Sequence, residues 1–135
     1  MTGWKRAKAD LINFQKELQR REKEFVKFAN LSLILELIPI FENFKEAFRH
    51  CPQNKEVENW IQGVEQIKKQ FKNLLNRLGV KEIFPLGEKF DLERDEVIGK
   101  RREKGKKEGE IVEVIKPAYS LDEKIIVPSK VIIAE

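Results

Sequence analysis

Few residues in this chain are of types that do chemistry. His50, the only histidine, stands beside Cys51, the only cysteine. A thiolate–imidazole pair needs the two side chains face to face and a third group to orient the base. Adjacency in sequence supplies neither. One cysteine and one histidine also fall short of a structural zinc site. Asp91, Glu93, Asp95 and Glu96 gather carboxylates in one short stretch. Their spacing is not that of an EF-hand loop, and a solvated turn is the simpler reading than a Mg²⁺ or Ca²⁺ site. Gly99-Lys100 continues as Arg101 and so does not complete a phosphate-binding loop, and no Gly-x-Ser-x-Gly is present. No enzymatic activity, metal or cofactor is expected.

Two features bear on binding instead. Lys100-Arg101-Arg102-Glu103-Lys104-Gly105-Lys106-Lys107 is the strongest basic run. It lacks the interleaved aromatics that stack on bases, so a solvated loop fits better than a nucleic-acid site. The net charge of +4 and pI near 9.1 permit nucleic-acid binding without arguing for it. Gly63 falls inside a helical pattern, between Trp60 and Ile67. Glycine there costs about 1 kcal/mol relative to alanine. Close helix–helix approach would explain it, and so would close approach by another protein.

These residues are positioned by two long amphipathic patterns. Trp4, Ala7, Leu11, Phe14, Leu18, Arg21, Phe25 and Phe28 recur at alternating steps of three and four. That is a heptad seam with one charge, Arg21, in it. The remaining faces are charged, which agrees with a 37% content of Asp, Glu, Lys and Arg. From Leu31 the apolar residues spread over more than one face, and Leu37, Phe41, Phe44 and Phe48 keep one face in register. A helix apolar over so much of its circumference is buried among several neighbours. Pro39 predicts a kink or break. Pro52 stops the helix and Asn54 is placed to cap the next. A second heptad follows at Val57, Trp60, Val64, Ile67, Phe71, Leu74 and Leu78, with Arg77 in its last turn and Gly79 just past it.

Two helices joined by a short turn make an αα-hairpin, and hairpins from two chains make a four-helix bundle. A homodimer is the economical arrangement. After Gly79 the pattern turns β-branched and glycine-rich. Val80–Pro85, Val97-Ile98, Ile111–Ile115, Lys124–Val127 and Lys130–Ala134 read as extended segments. Pro117-Ala118-Tyr119-Ser120 and Leu121-Asp122-Glu123 read as turns, and Pro128 suits an edge or bulge. The expected fold is therefore α+β. Residues 1–79 form a long paired helix and a dimerising bundle; residues 80–135 form a small β-domain. A lone cysteine excludes an internal disulfide framework, and no apolar run approaches the roughly 18 residues that span a bilayer. A cytoplasmic protein is expected, with no membrane partner.

In order and spacing these segments resemble the GrpE family, the nucleotide exchange factors of Hsp70 (DnaK) chaperones. Arg6-Ala7-Lys8-Ala9-Asp10-Leu11-Ile12-Asn13-Phe14 matches R-x-x-A-D-x-x-N-[FL], and Leu37-Ile38-Pro39-Ile40-Phe41-Glu42-Asn43-Phe44 matches L-L-P-V-x-D-N-L. Gln62-Gly63-Val64-Glu65 resembles E-G-[VI]-E, Leu78-Gly79-Val80-Lys81-Glu82-Ile83 resembles F-G-V-x-x-I, and Gly87-Glu88-Lys89-Phe90-Asp91 matches G-x-x-F-D. Tyr119-Ser120-Leu121 and Val127-Pro128-Ser129-Lys130-Val131-Ile132-Ile133-Ala134 resemble Y-x-L and R-P-A-x-V-x-V-A. The chain departs from the family at Leu92, where a proline is usual, at Asp95-Glu96-Val97 for H-E-A, at Ala118 for glycine, at Val127 for arginine and at Glu123-Lys124 for D-R. Members of the family commonly carry an acidic tail ahead of the heptad seam, which here starts at Trp4.

The resemblance implies a homodimer that binds the Hsp70 nucleotide-binding domain and accelerates ADP release. The alternative is a dimeric coiled-coil module that binds nucleic acid through the basic loop and rod face. Carried over by position, the partner-facing residues are Lys16 and Phe28 on the rod, Gly63 on the second helix, and Leu92, Lys124 and Ile133 in the β-domain. Phe28 also belongs to the seam. Leu18, Phe25, Phe41, Phe44, Val64, Phe71 and Leu78 are read as core or dimer seam. In the family the seam unwinds reversibly with heat, which makes Arg21 the expected weak point.

Overall fold

The computed structural model describes residues 2–135; residue 1, where the expected helical region begins, lies outside them. The chain divides into two compact units, one ending at Ile40 and the other running from Phe41 to Glu135.

Helix α1 spans Gly3–Arg49 and contains Pro39. The expected break does not occur. Proline removes one helix hydrogen bond and crowds the preceding turn, at about 3 kcal/mol. Burial of Ile38 before it and Phe41 after it offsets that cost. In the first unit Ile34 and Ile38 are buried, whereas the seam residues Trp4, Leu11, Phe14, Leu18, Phe25 and Phe28 are exposed, Phe25 at 74%. Arg20 pairs with Glu17 and Glu24, and Arg21 lies 3.4 Å from Glu17. These are one-turn ion pairs on a solvated face, each worth a few tenths of a kcal/mol.

The second unit opens with the end of α1. Asn54 accepts a hydrogen bond from the Glu56 amide (2.9 Å) and starts a single 3-10 turn, Lys55–Val57. Helix α2, Glu58–Arg77, follows directly. The Phe41 and Phe71 rings lie parallel with centroids 5.2 Å apart, and Lys68 Nζ sits 5.2 Å above the Phe48 ring. The two helices therefore make the expected hairpin. Gly79 ends α2 at φ 87°, and its amide donates to the Asn76 carbonyl. This is the left-handed residue that stops a helix without steric cost.

Six strands follow: β1 Val80–Ile83, β2 Asp95–Arg101, β3 Ile111–Lys116, β4 Ala118–Leu121, β5 Lys124–Val127 and β6 Ser129–Ala134. They form two sheets, ordered β1-β4-β5 and β2-β6-β3. The first is antiparallel, with Val80 opposite Leu121 and Glu82 opposite Tyr119. In the second, β2 runs parallel to β6 and β3 antiparallel to it. The fold is α+β.

Strand β4 corrects the reading of 117–121 as turns. Ala118, Tyr119, Ser120 and Leu121 are all buried, and β4 is the central strand of its sheet. A strand covered on both faces loses the apolar–polar alternation by which strands are recognised. The true turn is Asp122-Glu123, with φ of 48° and 71°. Two left-handed residues are what a tight hairpin between β4 and β5 demands.

A Cβ built on Gly79 would approach Asp122 Oδ1 to 2.9 Å. Gly79→Ala therefore meets both backbone strain and a clash, and should destabilise the chain by about 1–3 kcal/mol in urea unfolding. A loss below a few tenths of a kcal/mol would show that the helix end re-forms without the left-handed residue.

Candidate partner-binding surface

Leu92 is the most exposed large apolar residue described, at 83%. It stands in a turn that is held from below. Asp91 Oδ1 accepts from the Glu93 amide at 3.0 Å, and the Asp91 carbonyl accepts from the amides of Arg94 (3.0 Å) and Asp95 (2.7 Å). Asp95 is the anchor, 3% exposed. Its carboxylate accepts from Ser129 Oγ at 2.6 Å and from the Asp91 amide at 3.0 Å. The Arg94 guanidinium donates to both Asp95 oxygens at 3.0–3.2 Å. Arg94 also reaches Glu88 at 3.3 Å. The backbone closes the same brace, because the Ser129 amide donates to the Arg94 carbonyl at 3.0 Å. The turn thus holds an exposed apolar side chain on a hydrogen-bonded polar base.

The acidic stretch thus separates into unlike parts. Asp91, Glu93 and Glu96 are exposed, and Asp95 is a buried structural group. Burial alone would raise the Asp95 pKa. The hydrogen bonds from Arg94, Ser129 and the Asp91 amide outweigh that and hold it below its ordinary value of 3.8. The sequence reading missed Asp95 as an anchor and did not single out Arg94 or Ser129. Ser129 lies 34 positions from Asp95, and nothing local links them.

The other expected contact positions are spread over the chain. In the first unit, Lys16 and Phe28 are exposed on α1. In the second unit, Gly63 is exposed on α2, and a Cβ added to it would meet nothing within 4 Å. Close helix–helix approach within one chain therefore does not account for that glycine. Lys124 is exposed at the start of β5. Ile133 is placed otherwise: at 5% exposure it packs with Ile111 and Val131, flanked by Phe90, Val97 and Val114. Its side chain packs into the core of the β2-β6-β3 sheet. Of the residues read as core or seam, Phe41 is buried, Phe44, Val64, Phe71 and Leu78 are half-buried, and Leu18 and Phe25 are exposed.

His50 and Cys51 do not form a pair with a base and an orienting group. His50 Nε2 lies 2.9 Å from Glu46 Oε1 on an exposed helix end, and Cys51 is a half-buried free thiol. The basic loop is partly neutralised. Arg101 pairs with Glu113 and Glu103, Arg102 with Glu135, and Lys106 lies 3.9 Å from Glu110. Among the described residues no cluster of His, Cys, Asp or Glu is arranged to hold a metal, and no helix is long and apolar enough to cross a membrane.

A long helix with an exposed apolar seam, a helical hairpin and two small sheets define an α+β chain. A family model described as GrpE matches residues 2–135. Similar proteins include Protein GrpE of Acholeplasma laidlawii, 33% identical over 130 residues, 96% of this chain and 68% of that protein. Protein GrpE of Fusobacterium nucleatum is 32% identical over 130 residues (96% and 65%). Protein GrpE of Caldanaerobacter subterraneus is 31% identical over 130 residues (96% and 62%), so the chain spans less than two thirds of that relative's length. The chain belongs to the GrpE family.

Because the Asp95 pKa is depressed in the folded chain, its contribution to stability is complete above the unfolded value near 3.8 and is lost as pH falls through the lower folded value. Asp95→Asn leaves Arg94 without its buried charge partner and should cost about 3 kcal/mol. Urea unfolding at pH 7 and below pH 4 checks both points: the difference between wild type and variant should shrink in acid. A pH-independent difference would show that the charge of Asp95 is not what matters.

Proposed function

We propose that this chain is a nucleotide exchange factor: a cytoplasmic homodimer that binds the nucleotide-binding domain of an Hsp70 (DnaK) chaperone and accelerates ADP release. The observation that carries the reading is the family match, which runs from residue 2 to residue 135 and so takes in the rod, the hairpin and both sheets. The uncovered seam supports the dimer. Leu11, Phe14, Leu18, Phe25 and Phe28 are exposed on one helix at heptad spacing. A second copy of α1 would cover them, and each such side chain fully buried contributes about 1.5–3 kcal/mol. Val64 and Leu78 then belong to a four-helix bundle made from two hairpins, with residues 1–79 as the dimerising region and 80–135 as the β-domain.

The mechanism needs no catalytic residue. A dimer that binds an open nucleotide-binding domain better than a closed, ADP-holding one shifts that equilibrium, and by linkage weakens ADP. A 100-fold weakening requires about 2.7 kcal/mol of differential affinity. Lys16, Phe28, Gly63, Leu92 and Lys124 are the proposed contacts. Lys124 supplies a point charge and not the planar fork of an arginine. Binding of nucleic acid through the basic loop is the weaker reading, because glutamates engage Arg101, Arg102 and Lys106.

Release of a labelled ADP from a cognate Hsp70 tests the reading directly. Saturating protein should accelerate it, and neutralising the lysines and arginines of 100–107 should leave the acceleration in place. No acceleration would refute exchange, and its loss on neutralisation would move the active surface to the loop. Gly63→Ala should stabilise the helix by up to about 1 kcal/mol. Gly63→Asp should abolish Hsp70 binding while sedimentation still reports a dimer; a monomeric or unfolded Gly63→Asp would mean the glycine serves packing.

A further inference from the structure

Lys45 lies where the end of α1 meets the β1-β4-β5 sheet. Its Nζ is 2.8 Å from Glu82 Oε1 on β1 and 3.3 Å from the Tyr119 hydroxyl on β4. The same ammonium stands 4.9 Å from the centroid of the Phe41 ring and 5.9 Å from that of Tyr119. Cation, carboxylate and rings are partly withdrawn from water: the Lys45 and Glu82 side chains are 23% and 27% exposed, and Tyr119 is 1% exposed. Attraction between a cation and an aromatic face strengthens as water leaves. Glu82 and Tyr119 stand opposite each other in the β1–β4 register, so one side chain of α1 engages both strands at a single rung. Phe41, stacked on Phe71, passes the contact on to α2.

Between α2 and β1 stand only Leu78 and Gly79, and the Gly79 carbonyl accepts from the Asp122 amide at 3.2 Å. A second tie, Lys116 Nζ to Glu42 Oε2 at 3.5 Å, joins α1 to β3 of the other sheet. The β1-β4-β5 sheet also carries Lys124, and α2 carries Gly63, two of the contacts proposed for the chaperone.

We propose that Lys45 is a positioning residue: it fixes the β1-β4-β5 sheet on the helical hairpin, so that Gly63 and Lys124 meet a partner as one preset surface. The consequence for exchange rests on the function proposed above; the orientation itself does not. Loss of the tie leaves the partner to pay the cost of ordering the sheet. Affinity should fall while the maximal effect of the bound complex is retained.

Residual dipolar couplings of backbone amides test this on the whole chain. In the wild type, α2, β1 and β4 should share one alignment tensor. Lys45→Met keeps the apolar stem and removes the charge; the sheet amides should then align more weakly than those of α2. The concentration for half-maximal ADP release should rise about five-fold at unchanged maximal rate. Lys45→Arg should restore both, and Glu82→Gln should shift both in the direction of Lys45→Met. One shared tensor of undiminished magnitude in both Lys45→Met and Glu82→Gln would overturn the proposal. If the tensors separate but the wild type accelerates no ADP release, the positioning role stands and the exchange function fails.

Discussion

One ammonium group over two aromatic rings holds helix and sheet together. Phe41 stacks on Phe71 and thereby closes the hairpin between α1 and α2. Lys45, one turn further along α1, covers the Phe41 ring and reaches Glu82 and Tyr119. Tyr119 is buried, and burial together with the charges of Glu82 and Glu42 raises its phenol pKa well above the ordinary value. The hydroxyl therefore stays neutral and accepts from Lys45. Each group depends on the others. A partly desolvated cation needs its carboxylate, and a buried phenol oxygen needs its donor.

Away from that junction the chain treats its apolar surface in two ways. Part of the β-region packs inward: Ile111, Val131 and Ile133 are buried, and a buried carboxylate, Asp95, is met by Arg94, Ser129 and a backbone amide. The first unit leaves its apolar seam in solvent. A narrow stripe on a single helix has no surface in its own turn of chain to pack against. Leu92 repeats the contrast on a small scale, an exposed apolar side chain on a fully satisfied polar base.

Much of the architecture was legible because its signals are local. Heptads at Trp4–Phe28 and Val57–Leu78, the capping asparagine at 54 and the terminating glycine at 79 depend on residues within a turn or two of each other. The helices, the cap and the stop are visible in the fold, whereas Phe25 and Phe28 of the first heptad and Trp60 and Ile67 of the second stay exposed. The same local logic fell short at two places. Helix α1 runs through Pro39 without a break, with Ile38 and Phe41 on either side of it buried. Ala118–Leu121 contains no run of β-branched residues, and its strand character comes from being sandwiched between β1 and β5.

The candidate surface divides in the same way. Motif order marked Lys16, Phe28, Gly63, Leu92 and Lys124, and each is exposed. Ile133 carried the same kind of mark yet lies inside, because alternate residues of β6 face opposite ways and pairing with β3 turns this one toward Ile111. What the sequence by itself determined is periodicity, caps and family membership, all properties of residues near one another or of their order along the chain. Only the tertiary structure decided that Asp95 is an anchor held by Ser129 and that Lys45 bridges to Glu82 and Tyr119. Those interactions join residues 34, 37 and 74 positions apart, and their strength comes from the water that folding removes around them.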